Sequence, residues 1–134
     1  MNNQTEHKSF IFNEKIDKDL LASLYEDDFP YMEEIFSITL AQLKPDIIQL
    51  KAAFEQANVD ALKKAAHKLK PSFGFIGLPQ VQEQCKQFED ACASATTVDA
   101  IASSYKQLVK ELEESVIIIE SEHKRLQDYN LSQL

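Results

Sequence analysis

Residues 29–57 read FPYMEEIFSITLAQLKPDIIQLKAAFEQA, and Met32, Phe36, Leu40, Leu43, Ile47, Leu50, Phe54 and Ala57 recur within them at steps of 4, 4, 3, 4, 3, 4 and 3. Such steps follow the α-helical turn and draw one apolar stripe along one face. Proline inside a helix removes a backbone hydrogen bond and bends the axis. The stripe nevertheless keeps its phase through Pro45, so the reading is one long helix bent there, with Pro45 on the outer side. Asp27, Asp28 and Pro30 supply acids at the cap region and a proline in the first turn.

The same spacing recurs on both sides of this stretch. Ile16, Leu20, Leu21 and Leu24 mark a short helix at about 16–27. Leu62, Ala66, Leu69, Phe73 and Ile76 mark a third, opened by Asn58 and ending near Gly74–Gly77. Val81, Cys85, Phe88 and Cys92 mark a fourth, opened by Pro79. Ile101, Tyr105, Leu108, Leu112, Ser115 or Val116, and Ile119 mark a last one at about 97–126, with Thr96 and Asp99 resembling a capping box. Four long amphipathic helices joined by short loops predict an all-α fold, an antiparallel up-down-up-down four-helix bundle. The short first helix is expected to cap one end. Residues 1–15 are expected to form a mobile lead-in whose aromatic end, Phe10–Phe12, tucks against the bundle. The bundle should span 16–127, and 128–134 should form a tail.

The chain has 134 residues, two glycines and four prolines. That length suits one domain, and so little turn chemistry argues against a β-sandwich or barrel. The net charge of −8 argues against nucleic-acid binding, which normally draws on phosphate neutralisation. No apolar run approaches the roughly 18 residues of a membrane span. The polar N-terminus lacks the apolar core of a signal peptide, so a cytoplasmic location is expected. A monomer is expected too, and the Met1 start suggests a free-standing chain, with a fragment excised from a larger protein as the alternative. Cys85 and Cys92 lie about 10 Å apart along one helix, too far for a disulfide, and read as small core residues. A zinc site from His67, Cys85, Cys92 and His123 is disfavoured, because His67 faces away from the cysteines. Glu111, Glu113, Glu114, Glu120 and Glu122 read as a solvated face.

Chemistry is concentrated in one place. At roughly 100° per residue, His67 lies about 140° from the core direction of its helix and projects into water. Lys63 lies one turn before it, Lys70 and Pro71 just under a turn after, and Gly74 two turns on, with Lys64 and Lys68 flanking. Residues 61–82 hold four lysines and no acid. Gly74 costs roughly 1 kcal/mol against alanine in a helix, and its missing side chain suggests open space beside the imidazole. An exposed imidazole among ammonium groups suits a group that takes on and hands off an anion such as phosphoryl.

The run His67–Lys68–Leu69–Lys70–Pro71–Ser72–Phe73–Gly74–Phe75–Ile76–Gly77–Leu78 resembles the signature of histidine phosphotransfer (HPt) domains. That signature has an apolar residue two after the histidine, a lysine three after, and glycine-like positions seven and ten after. Cys85, Phe88 and Glu89 extend the match downstream. The resemblance covers about residues 16–125, with 67–78 its specific part. It implies a phosphorelay intermediate in which His67 accepts a phosphoryl group through Nε2 from a receiver-domain aspartate and passes it to another receiver. The protein would be a phosphocarrier and not an enzyme. It implies no cofactor of its own, the metal being the receiver's. Lys70 would contact the phosphoryl oxygens, with Lys63, Lys68, Pro71 and Gly74 completing the binding surface. Receivers of response regulators or hybrid histidine kinases would dock beside the histidine, near Ile16, Leu20 and Phe75. The family usually has glycine where Pro71 stands, so a bend and an altered docking surface are expected there. The alternative is a helical adaptor that uses the same face for docking alone.

Overall fold

The structure is a computed structural model that describes residues 10–134. It is all-helical: α1 (Lys18–Tyr25), α2 (Phe29–Glu55), α3 (Val59–Phe75), α4 (Pro79–Ser94), a 3₁₀ turn at Val98–Ile101, and α5 (Ala102–Ser132). The four long helices pack around one core, α3 lying between α2 and α4 and α5 between α4 and α2. Cross-helix pairs show the sense of each seam. Lys44 meets Glu120 while Lys51 meets Glu113, so α2 and α5 run in opposite directions. His67 meets Glu89 while Gly74 lies against Gln82, so α3 and α4 do too.

Local chemistry explains most of the helix ends. Asp17, Asp28 and Asn58 each accept from a backbone N–H three residues on, at 2.9, 3.0 and 3.0 Å, and cap α1, α2 and α3. Pro79 opens α4 at a position whose N–H no helix needs. α2 continues unbroken through Pro45, which sits on its exposed side, and α3 continues through Pro71. The predicted stripes are buried almost throughout, with Phe36, Leu43, Leu50, Leu62, Leu69, Phe73 and Leu112 fully enclosed. Ala57 departs from its stripe: at φ 54° it forms the turn after α2 and is exposed. Leu24 is exposed as well.

α1 covers the end of the bundle where α3 turns into α4. The Asp17 N–H donates to the Gly77 carbonyl at 2.8 Å, and the Tyr25 hydroxyl donates to the Phe75 carbonyl at 2.7 Å. Gly77 adopts φ 79°, and a Cβ there would stand 2.8 Å from Ile16 Cγ2, so the turn needs glycine twice over.

Two expected boundaries are corrected. No Thr96–Asp99 capping box forms; the chain passes Thr97 into a 3₁₀ turn whose Ala100 N–H bonds the Thr97 carbonyl, and α5 begins only at Ala102. Residues 128–132 are not a tail but the last turn of α5. They are fastened there by the Tyr129 ring against Phe10 and Phe29, at 5.6 and 5.4 Å, and by Asn130, which donates to the Phe29 carbonyl and to Glu33. The aromatic end of the lead-in tucks against the bundle, as expected. Phe10 and Phe12 pack on Phe29, and Arg125 lies 4.6 Å over the Phe10 ring while donating to the Ile11 carbonyl. The earlier part of the expected lead-in, 1–9, lies outside the described residues.

Candidate functional site

The inward faces of Leu62, Ala66, Leu69 and Phe73 fix the rotation of α3, and with it the outward direction of His67. The histidine side chain is 68% exposed. Burial of Val81, Cys85, Phe88 and Cys92 fixes α4 in the same way and sets Glu89, one step off that stripe, at the edge of the α3–α4 seam. There Glu89 Oε2 stands 2.8 Å from His67 Nδ1, and its Oε1 stands 2.7 Å from Lys70 Nζ.

The carboxylate decides the state of the ring. An ionised carboxylate only accepts hydrogen bonds, so Nδ1 carries a proton, and in the neutral ring the lone pair is on Nε2. Glu89 stays ionised because the Lys70 ammonium bonds it, with a smaller contribution from His67. Together they outweigh the cost of burial and hold its carboxyl below the usual range. Lys70 in turn is only 22% exposed. The three side chains form a chain of donors and acceptors with one reactive lone pair at its open end.

Beside it lies a groove of about 360 Å³, lined by His67, Lys70 and Pro71 from α3 and by Pro79, Gln82, Glu83 and Lys86 from α4. His67, Lys70 and Pro71 thus line one groove. The other expected residues need correction. Gly74 does not leave open space: the Gln82 carboxamide lies across it, 3.1 Å from where a Cβ would stand. Lys68 turns the other way, its ammonium 3.2 Å from the buried Asp46 of α2. Lys63 remains an exposed cation one turn before His67, outside the groove. Lys64 pairs with Asp60. The lysine cluster that looks acid-free along the sequence is therefore largely neutralised in space by acids from α2, α3 and α4.

Glu89 at the rim, and Gln82 and Lys86 in the groove, are the residues to which the sequence assigns no chemical role. The signal for Glu89 in the sequence is its place after Phe88 in the family match. Nothing local marks Lys86. The other nucleophilic candidates are quiet, since burial pushes the Cys85 thiol up to about 12 and the Cys92 thiol to about 11. Of the docking residues, Phe75 is exposed and Leu20 half-buried, but Ile16 is buried beneath α1 and against Gly77, and so is removed from that surface. Among the described residues no cluster of three or more His, Cys, Asp or Glu side chains is placed to hold a metal. Nor is any helix long and apolar enough to cross a membrane.

The sequence profile of the Hpt domain matches residues 34–126, which span α3, α4 and most of α2 and α5. The chain belongs to the Hpt domain family. Hpt domains are phosphocarrier modules of two-component signalling and interact with receiver domains of histidine kinases and response regulators. Two solved structures share the fold. One is the HPT domain of an Hpt sensor hybrid histidine kinase from Shewanella, at 23% identity and a TM-score of 0.67, covering 90% of this chain and 96% of that one. The other is histidine-containing phosphotransfer protein B (HptB) of Pseudomonas aeruginosa PAO1, at 20% identity and a TM-score of 0.70, covering 84% of this chain and 96% of that one. No curated protein matches the sequence significantly.

Proposed function

We propose that this Hpt domain is a phosphorelay carrier whose phosphoacceptor is His67, taking a phosphoryl group from a receiver-domain aspartate and passing it to a second receiver. The observation that supports this reading most is the hydrogen bond that Nδ1–H donates to Glu89, which leaves Nε2 as the free nucleophile on an exposed ring. In the transfer, Nε2 attacks phosphorus in line. An N–P bond forms as the P–O bond to the receiver's carboxyl breaks, and the electron pair leaves on that carboxylate. Nδ1 keeps its proton, and the positive charge developing on the ring is met by Glu89 at 2.8 Å. Onward transfer reverses these steps with another aspartate.

Phosphoryl transfer depends mainly on positioning and on compensation of charge over the phosphoryl oxygens. Lys70 serves both needs: one N–H holds Glu89, and its remaining donors border the groove. Lys63 adds positive potential from the other side. The metal ion belongs to the receiver. Pro71 and exposed Phe75 lie on the surface a receiver would cover, and Pro71 leaves the His67 carbonyl without its usual helical donor.

The test is transfer from a receiver charged with acetyl phosphate. The expected product is an acid-labile, base-stable phosphoryl group on the wild type and none on His67→Gln. A wild type that stays unlabelled against several charged receivers would leave only docking, the role of an adaptor.

A further inference from the structure

The ion pairs around His67 leave a charge deficit. Lys70 and Glu89 cancel one another at 2.7 Å, so the cation that shares a carboxylate with the ring is already compensated. A phosphoryl group on Nε2 brings between one and two further negative charges. Lys63, on the far side of His67, does not line the groove. Another cation does.

Lys86 lines the groove together with His67 and Lys70. It lies on α4 one turn before Glu89, and its side chain runs along the helix to Asp90, Nζ standing 3.2 Å from Oδ2. Glu89, one turn on from Lys86, touches the imidazole with its carboxylate. The pair with Asp90 is weak: the two side chains are 56% and 66% exposed, and exposed pairs of this spacing add little to stability. The neighbouring acids Asp90, Glu83 and Glu89 all raise the Lys86 pKa, in that order, so it stays charged. Lys70 is tied down at the edge of the seam, whereas Lys86 is a charged arm on a loose tether.

We propose that Lys86 is a second phosphoryl-contacting cation, leaving Asp90 to bond the phosphoryl oxygens once His67 is phosphorylated; this rests on His67 being the phosphoacceptor. The two lysines then divide the work. Lys70 positions Glu89 and through it the ring, and Lys86 supplies the mobile counter-charge.

A small donor separates phosphoryl contact from receiver docking. With phosphoramidate, the donor's P–N bond breaks, ammonia leaves, and the new N–P bond forms at Nε2. The wild type, Lys86→Gln, Lys86→Arg and Lys64→Gln are compared for initial labelling rate and for the half-life of the phosphohistidine. Lys64 serves as the control, because its substitution removes one charge from α3 while disturbing only the pair with Asp60. Lys86→Gln is expected to lower both readouts about three- to tenfold, the effect of one hydrogen bond to a charged group partly screened by solvent. Lys86→Arg should recover most of the loss, and Lys64→Gln should stay within about twofold of the wild type. Equal behaviour of Lys86→Gln and the wild type overturns the proposal, as does an equal loss in Lys64→Gln. A loss seen with a charged receiver but not with phosphoramidate also overturns it, placing Lys86 on the docking surface. If the wild type is labelled and His67→Gln is not, the phosphoacceptor assignment stands whatever Lys86 does; a wild type that neither donor labels removes both.

Discussion

Glu89 and Glu122 are built alike and end differently. Each carboxylate takes two donors and joins distant parts of the chain. Glu122 on α5 accepts from Arg125 and from the Asn13 N–H at 2.8 Å, and its side chain is 3% exposed. Both donors are spent on structure: Arg125 also bonds the Ile11 carbonyl and covers Phe10, so the assembly seals residues 10–13 onto α5. Glu89 accepts from Lys70 and from His67, and its side chain is 16% exposed. One of those donors belongs to a ring with a second nitrogen facing solvent. Around Glu122 both donors are already committed to holding the fold, whereas around Glu89 one donor is a ring whose other nitrogen is left without a partner carboxylate.

The sharpest way to break that distinction is to empty each hub in turn. Glu89→Ala frees the imidazole to rotate and change tautomer and removes the charge that meets the developing imidazolium. Phosphorylation of His67 by phosphoramidate should slow about 10- to 100-fold, the range seen when a histidine loses its orienting partner. Stability should change by no more than about 1 kcal/mol, since the group lies at the rim. The urea midpoint measured beside the labelling rate checks both halves, and an unchanged rate would remove Glu89 from the mechanism.

Glu122→Ala should do the reverse. It strands the Arg125 guanidinium and the Asn13 N–H and loosens the aromatic cluster of Phe10, Phe12, Phe29 and Tyr129. The expected cost is about 2 kcal/mol in urea unfolding, with the rate of His67 labelling within about twofold of the wild type. A matching fall in labelling would mean that the two hubs communicate. The route would be Asn13, Ile16 and Asp17 to Gly77, which connects the segment before α1 to the turn after α3.

The two hubs also show what a linear reading can reach. Asn58, Asp28, Pro79 and the apolar stripes act over three or four neighbouring residues, so the helices and their core faces are legible, and the outward direction of His67 follows from them. Glu122 reads as solvated because other glutamates surround it on the chain. Its burial depends on residues 10–13 arriving from more than a hundred positions away. The acid-free window of 61–82 suggests an uncompensated positive cluster for the same reason, since Asp46 and Glu89 enter from α2 and α4. Gly74 stands out in the sequence, but the reason for it does not. Its missing Cβ makes room for Gln82, a neighbour on the adjacent helix and not along the chain.

The smallest expected effect is on pH dependence, read at Glu89. Its carboxyl titrates below the ordinary 4.5, chiefly because Lys70 bonds the ionised form. A carboxylate whose value falls on folding stabilises the folded state fully above its unfolded value, and loses that contribution as pH drops through the folded one. The difference in urea midpoint between the wild type and Glu89→Gln should therefore close as pH falls below 4.5. The amide that replaces the carboxylate in Glu89→Gln cannot ionise, so general acid destabilisation cancels between the two proteins and the remaining slope reports this hub. A gap that persists unchanged through that range would mean that the carboxylate's charge adds nothing to the seam, and that Lys70 and His67 are held by packing instead.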